Sequence, residues 1–153
     1  MRQRYILSPS HSSHSSHYSK MAHRLPFIYV TISDLGGRGV FTSKPLEAGD
    51  LIEICHVIIL PEKDLPVIHK TSLHDYYFLW GDDQEQCAIA LGFGSLYNHN
   101  YHPNARYLLD YENQTIDFYC VKDIAAGEEI TVNYNGEPGD ETPVWFDKKN
   151  GDW

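Results

Sequence analysis

The sequence predicts a mostly β domain with little helix, on three observations. From Leu25 onward the apolar residues recur with a period of two rather than 3.6. Turn signals rich in glycine, proline and asparagine interrupt that pattern every ~8–12 residues. No segment sustains a helical stripe for more than a turn or two.

The elements follow in order. Phe27-Ile28-Tyr29-Val30 reads as a strand, and Asp34-Leu35-Gly36-Gly37-Arg38-Gly39 as the turn that ends it. Val40-Phe41-Thr42 is a short strand, and Leu46-Glu47-Ala48-Gly49-Asp50 a tight turn. Leu51 to Leu60 is the next strand, apolar enough at Val57-Ile58-Ile59-Leu60 to be buried, and Pro61 stops it. Between Pro61 and Trp80 the apolar residues Leu65, Ile68, Leu73, Tyr76 and Tyr77 have mixed spacing, which predicts one or two helical turns. Cys87 to Leu91, Arg106 to Tyr111 and Thr115 to Val121 read as strands, with Asn113-Gln114 as a hairpin turn between the last two. Ile130 to Tyr134 is the final strand.

Bulk properties narrow the class. At 153 residues, 42% of them hydrophobic and 13% aromatic, the chain is one domain with enough apolar surface for a core, which argues against global disorder. No apolar run reaches the length of a membrane-spanning helix, so no membrane partner is expected. Charge is uneven: from residue 23 onward nine basic side chains face 21 acidic ones, a net −12. That field disfavours nucleic-acid phosphates and favours a basic partner such as a lysine-rich peptide, although a solvated acidic surface explains it equally. Cys55, Cys87 and Cys120 are odd in number and far apart, with no C-x-x-C pair, so neither zinc nor a disulfide framework is expected. Each thiol reads as a small core hydrophobe in a reducing, intracellular compartment.

Residues 1–24 read as a disordered Ser/His-rich tail or a targeting segment, with His11-Ser12-Ser13-His14-Ser15-Ser16-His17 as low complexity. A basic, acid-free start fits an organelle transit peptide, and a true start at Met21 fits as well. The sequence does not decide between them.

Three motifs carry chemistry. Gly37-Arg38-Gly39 follows a strand and precedes Val40-Phe41; its glycines allow positive φ and close approach of a ligand, yet no G-x-G-x-x-G opens a helix, so it is not a dinucleotide fingerprint. Asn98-His99, followed by Pro103-Asn104, puts polar side chains that need partners into a hydrophobic stretch. Gly127-Glu128-Glu129-Ile130-Thr131-Val132-Asn133-Tyr134 ends on a tyrosine. Taken singly, these read as a glycine turn, a satisfied polar pair and a core-edge tyrosine.

Together, in this order and spacing, they resemble the SET-domain protein lysine methyltransferases, over roughly Phe27 to Phe146. The resemblance implies a SET-type fold of several small curved sheets with a C-terminal pseudoknot that brings Asn98-His99 beside Tyr134. It places the domain at residues 25–147, with an aromatic closing segment, and leaves 148–153 as a polar end. It implies S-adenosylmethionine as cofactor, held by Gly37, Arg38, Gly39, Asn98, His99 and Trp145. Tyr134 is the implied catalytic residue, and Tyr97, Tyr107, Val132 and Phe146 the implied walls of a lysine channel. Many members close the site with a cysteine-rich zinc cluster; this chain is similar to those that use a Pro-x-Trp-aromatic tail, here Pro143-Val144-Trp145-Phe146. Tyr107, in the place of a tyrosine that limits methyl count, implies preferential monomethylation. The implied substrate is a basic lysine-containing protein or peptide, such as a histone, a histone-like protein or a ribosomal protein, and a homodimer that shares its substrate groove is left open.

Two departures are visible. Asn133 stands where most members have Asp, and Cys55 where a Tyr is usual. They keep alive an alternative from another class: a SET-like module that binds a lysine peptide without turnover. A metal-dependent hydrolase built on His99 and His102 is disfavoured, since the spacing is short of a helical i,i+4 pair and Pro103 follows.

Overall fold

The computed structural model describes residues 23–147, which form two small β-sheets. The tail expected over 1–24 therefore falls outside the description except for His23 and Arg24, and the polar end 148–153 falls outside it entirely. The first sheet holds β1 (Ile28–Ile32), β2 (Arg38–Thr42), β9 (Glu129–Val132) and β6 (Asn98–His99), in the order β1-β2-β9-β6. The second holds β4 (Tyr77–Trp80), β5 (Gln86–Ala90), β3 (Leu51–Leu60), β8 (Thr115–Cys120) and β7 (Ala105–Asp110), in the order β4-β5-β3-β8-β7. The fold class is as expected: strands dominate, and α1 (Leu65–Ile68) is a single turn flanked by 3-10 turns at Glu62–Asp64 and Ser72–Asp75.

Alternation explains the core. In β8, Ile116, Phe118 and Cys120 point inward and are buried, while Asp117 and Tyr119 between them are less so. The 111–114 connection of the β7–β8 hairpin is four residues long, not the two-residue turn expected. Asp110 accepts from the Asn113 N–H at 2.9 Å, and Gln114 takes φ +53°.

Two elements depart from expectation. Tyr77–Trp80 is a strand, not the end of a helical stretch, because β5 offers it a ladder from Ile89 to Gln86. Asn98–His99 forms a two-residue strand, β6, that runs parallel to β9, with Asn98 opposite Thr131 and His99 opposite Val132.

This parallel pair brings the chain's distant motifs together. β9 lies between β2 on one edge and β6 on the other. Asn104 stitches the arrangement: its amide donates to the Glu129 carbonyl at 2.7 Å and its Oδ1 accepts from the Thr131 N–H at 2.8 Å. Beyond β9 the chain returns across the same segment. The Gly139 N–H donates to the Tyr101 carbonyl at 3.1 Å, and the Val144 N–H donates to the Tyr101 hydroxyl at 3.2 Å.

A register shift between Leu51 and Glu53 in the β3–β8 ladder has one further effect. It turns Ile52 and Glu53, which are consecutive, both inward. Glu53 thus becomes a buried carboxylate. It accepts from the Tyr97 hydroxyl at 2.9 Å and the Phe93 N–H at 3.0 Å, with the Arg24 guanidinium 3.9 Å away.

Candidate active site

A cavity of about 160 Å³ opens between the β1–β2 turn, the Ser72–Asp75 turn, the segment leading into β6, and the end of β9. Gly36, Gly37, Arg38, Asp75, Tyr76, Ser95, Leu96, Asn98 and Tyr134 line it. Four of the residues expected from the sequence therefore meet here: Gly37, Arg38, Asn98 and Tyr134.

The glycine turn is there for its backbone. Gly36 and Gly37 sit at φ +121° and +62°, in the left-handed region that favours glycine. A Cβ on either would meet nothing within 4 Å, so conformation rather than crowding selects glycine. Gly39 has the opposite reason. It lies behind the cavity, where an added Cβ would stand 2.0 Å from Glu129 Oε1 and 3.0 Å from the Asn98 amide.

Asn98 is held rigidly. Its amide nitrogen donates to the Arg38 carbonyl at 3.0 Å and to Glu129 Oε1 at 2.7 Å, while Glu129 Oε2 accepts from the Ser33 hydroxyl at 2.7 Å. Both amide protons are spent on the protein, so what Asn98 offers a ligand is an acceptor.

Tyr134 donates its hydroxyl to the Tyr97 carbonyl at 2.9 Å, and its N–H to His99 Nδ1 at 3.0 Å. Burial, reinforced by the charges of Asp75 and Glu129, pushes its phenol up to about 12. With Nδ1 an acceptor, the neutral His99 ring carries its proton on Nε2, a buried atom without a partner among the described residues. Burial lowers the pKa of that ring, with Asp147 opposing, and the rings of Tyr101, Tyr134 and Phe146 surround it.

The other expected site residues are placed differently. Tyr97 is no channel wall: its ring is 1% exposed, stacks on Phe118 at 4.3 Å and reaches the buried Glu53, so only its carbonyl serves the site. Val132 is likewise buried in the core, on β9 beside His99 of β6. Tyr107 packs between Phe78 and Phe118, and its hydroxyl donates to the Tyr134 carbonyl at 3.2 Å. His99 serves from behind, as the anchor of the Tyr134 backbone. Trp145 is outside the cavity lining: it lies flat on Tyr134, with centroids 5.6 Å apart and planes 10° apart, and its indole N–H donates to Asp75 at 3.3 Å. Phe146 is half exposed and packs edge-on against Trp145 and His99.

Sequence reading missed Asp75, Tyr76, Ser95 and Leu96 in the lining, and Glu53 and Glu129 behind it. The Ser95 hydroxyl ties two of these segments by donating to the Tyr76 carbonyl at 2.9 Å. The available signal was an Asp-Tyr pair in a stretch without periodicity.

One parallel strand pair thus gathers a glycine turn, an Asn–His strand and a C-terminal tyrosine around one cavity. The chain belongs to the SET-domain family of protein lysine methyltransferases: the family's SET-domain model matches residues 37–135. Among individual proteins it is similar to the histone-lysine N-methyltransferase, H3 lysine-37 specific, of Schizosaccharomyces pombe, 33% identical over 112 residues that cover 72% of this chain and 71% of that one. Its fold matches the crystal structure of a candidate histone methyltransferase of Plasmodium falciparum, with TM-score 0.58 and 28% identity over 72% of this chain and 98% of the other. A humanized mutant of the Chaetomium thermophilum Polycomb Repressive Complex 2 shares the fold at TM-score 0.60 and 22% identity, over 76% of this chain and 16% of that one. Among the described residues no helix is long and apolar enough to cross a membrane.

Proposed function

We propose that the protein transfers a methyl group from S-adenosylmethionine to the side-chain amine of a lysine in a basic protein segment, such as a histone tail, inside the cell. The observation that carries this reading is the Tyr134 hydroxyl, anchored at 2.9 Å on the Tyr97 carbonyl and set in the wall of a cavity shared with Gly37, Arg38 and Asn98.

The residues fit that donor. An acceptor on Asn98, a cation on Arg38 and an open glycine turn suit the amino-acid end of such a molecule. The cavity is below the ~300 Å³ of a typical small-molecule pocket, so it would take one end of the donor rather than all of it. When bound, the donor supplies an electrophilic methyl on a positively charged sulfur.

A lysine with an ordinary pKa near ~10.4 is only about 0.1% neutral at physiological pH. Burial among Tyr134, Trp145 and Phe146 would disfavour its charged form. The amine's lone pair would then be free to take the donor's methyl as the donor leaves as a neutral thioether, and the methylated ammonium would pass its proton to solvent, with Tyr134, Trp145 and Phe146 keeping the nitrogen desolvated. With its phenol raised to about 12, Tyr134 stays protonated and makes a poor base. Its role is to orient the amine through an oxygen lone pair, its own proton being held by Tyr97.

The two departures from the family pattern lie in packing, which weakens the alternative of a binding module without turnover. Asn133 is buried and bonds the Asp140 carbonyl at 2.8 Å and the Asn135 N–H at 3.0 Å, shaping the turn that follows β9. Cys55 is buried against Gly94, where a Cβ would already stand 2.8 Å from its sulfur.

Calorimetric titration with S-adenosylmethionine and S-adenosylhomocysteine tests the reading. Micromolar binding that Asn98→Ala abolishes, together with methylated lysine found by mass spectrometry on recombinant histones, is the expected result. A folded protein that binds neither would leave the non-catalytic module as the better account.

A further inference from the structure

Two of the residues that line the cavity carry charged side chains of opposite sign: Arg38 in the glycine turn and Asp75 at the end of the Ser72–Asp75 turn, whose side chain is 63% exposed. Asp75 is half committed. Its Oδ1 meets His74 Nδ1 at 3.1 Å and accepts the Trp145 indole N–H at 3.3 Å. Its Oδ2 takes no hydrogen bond from the described residues, so accepting capacity is unspent at the cavity wall. Trp145 lies flat on Tyr134, which keeps Asp75 beside the phenol. After burial, the charge of Asp75 is the largest influence that opposes ionisation of Tyr134.

The other nearby carboxylate is not comparable. Glu129 has both oxygens engaged, one by Asn98 and one by Ser33, and it stands outside the lining, behind Gly39. Asp75 is thus the carboxylate of the lining, and it carries a formal negative charge into a site whose proposed donor is a cation. The spent donor, a thioether, has lost that charge.

We infer that Asp75 selects ligands by charge in the donor site: its carboxylate favours the sulfonium of the methyl donor over the neutral thioether left after transfer. This rests on reading the cavity as the donor's site. Asp75 acts by field across the cavity and moves no proton. Its practical effect is on turnover, because a site that binds donor and product alike is inhibited by its own product.

The test is calorimetric titration of the full chain with three ligands: S-adenosylmethionine, sinefungin (which carries an amine in place of the sulfonium) and S-adenosylhomocysteine. Asp75→Asn is expected to weaken the two cationic ligands about threefold to fivefold and the thioether less than about 1.5-fold, the upper range of one solvent-exposed charge pair. Asp75→Glu should restore most of the preference. In wild type alone, the preference for cationic ligands should shrink as salt rises from about 50 to about 500 mM. Equal weakening of all three ligands by Asp75→Asn, or a ratio that ignores salt, would each overturn the inference. Either would leave Asp75 as a latch for the closing segment. A folded wild type that binds none of the three would overturn the donor-site reading itself.

Discussion

At the scale of single residues, Tyr134 concentrates the site's constraints. Its hydroxyl, its N–H and its ring each have a separate partner, in Tyr97, His99 and Trp145. Tyr134→Phe deletes only the first of these. It should lower the melting temperature by a few degrees, for loss of one hydrogen bond of about 1 kcal/mol, and lower methyl transfer by on the order of 10²-fold, the scale for loss of one preorganised polar group. A variant at full activity would remove Tyr134 from the chemistry. That it shares a cavity with Gly37, Arg38 and Asn98 was legible only through the resemblance of the motifs, in their order and spacing, to a known family; singly they read as a glycine turn, a satisfied polar pair and a core-edge tyrosine. Asp75 was not legible, since an acid on an aperiodic stretch looks like any solvated charge. The direction of Tyr97 was not legible either. It depends on Glu53 being turned inward by a register shift that no local pattern announces.

Among the elements, β6 and β9 form the junction on which the site hangs. Two residues of parallel pairing are little by themselves, and Asn104 supplements them with two hydrogen bonds to the β9 backbone. Asn104→Ala leaves a carbonyl and an N–H of β9 without these partners, for a loss of roughly 2 kcal/mol of stability. Hydrogen exchange should locate the effect: the Thr131 amide should exchange faster, while amides of the β3–β8 ladder keep their protection. Uniform acceleration across both sheets would contradict a local role. The long strands were readable from period-two alternation, as β8 shows. β4 was hidden by the mixed spacing of its neighbourhood, and a strand of two residues lies below what any periodicity can reveal.

For the molecule as a whole, burial of phenols and thiols sets its response to alkali. Burial raises Tyr107, Tyr134 and Cys120 each to about 12, against ~10 for a free phenol and ~8.5 for a free thiol. The folded state therefore holds these protons more tightly than the unfolded chain. The stability they contribute is fully present at neutral pH and is lost as pH rises from the unfolded values toward about 12. Urea midpoints should fall steadily from about pH 9 to pH 11, and Tyr107→Phe should flatten the upper part of that fall. A midpoint that holds constant over this range would show that these groups are solvated in the folded protein.

The parallel β6–β9 junction also bears on how the protein comes into being. The glycine turn is made early in synthesis and the Asn98 segment later, yet neither faces a complete cavity until the strand ending at Tyr134 has been laid between them. A nascent chain still short of that strand has the glycine turn and the Asn98 segment but not Tyr134 in the cavity wall. Products that end before Tyr134 would therefore lack both the strand that closes the cavity and the phenol in its wall.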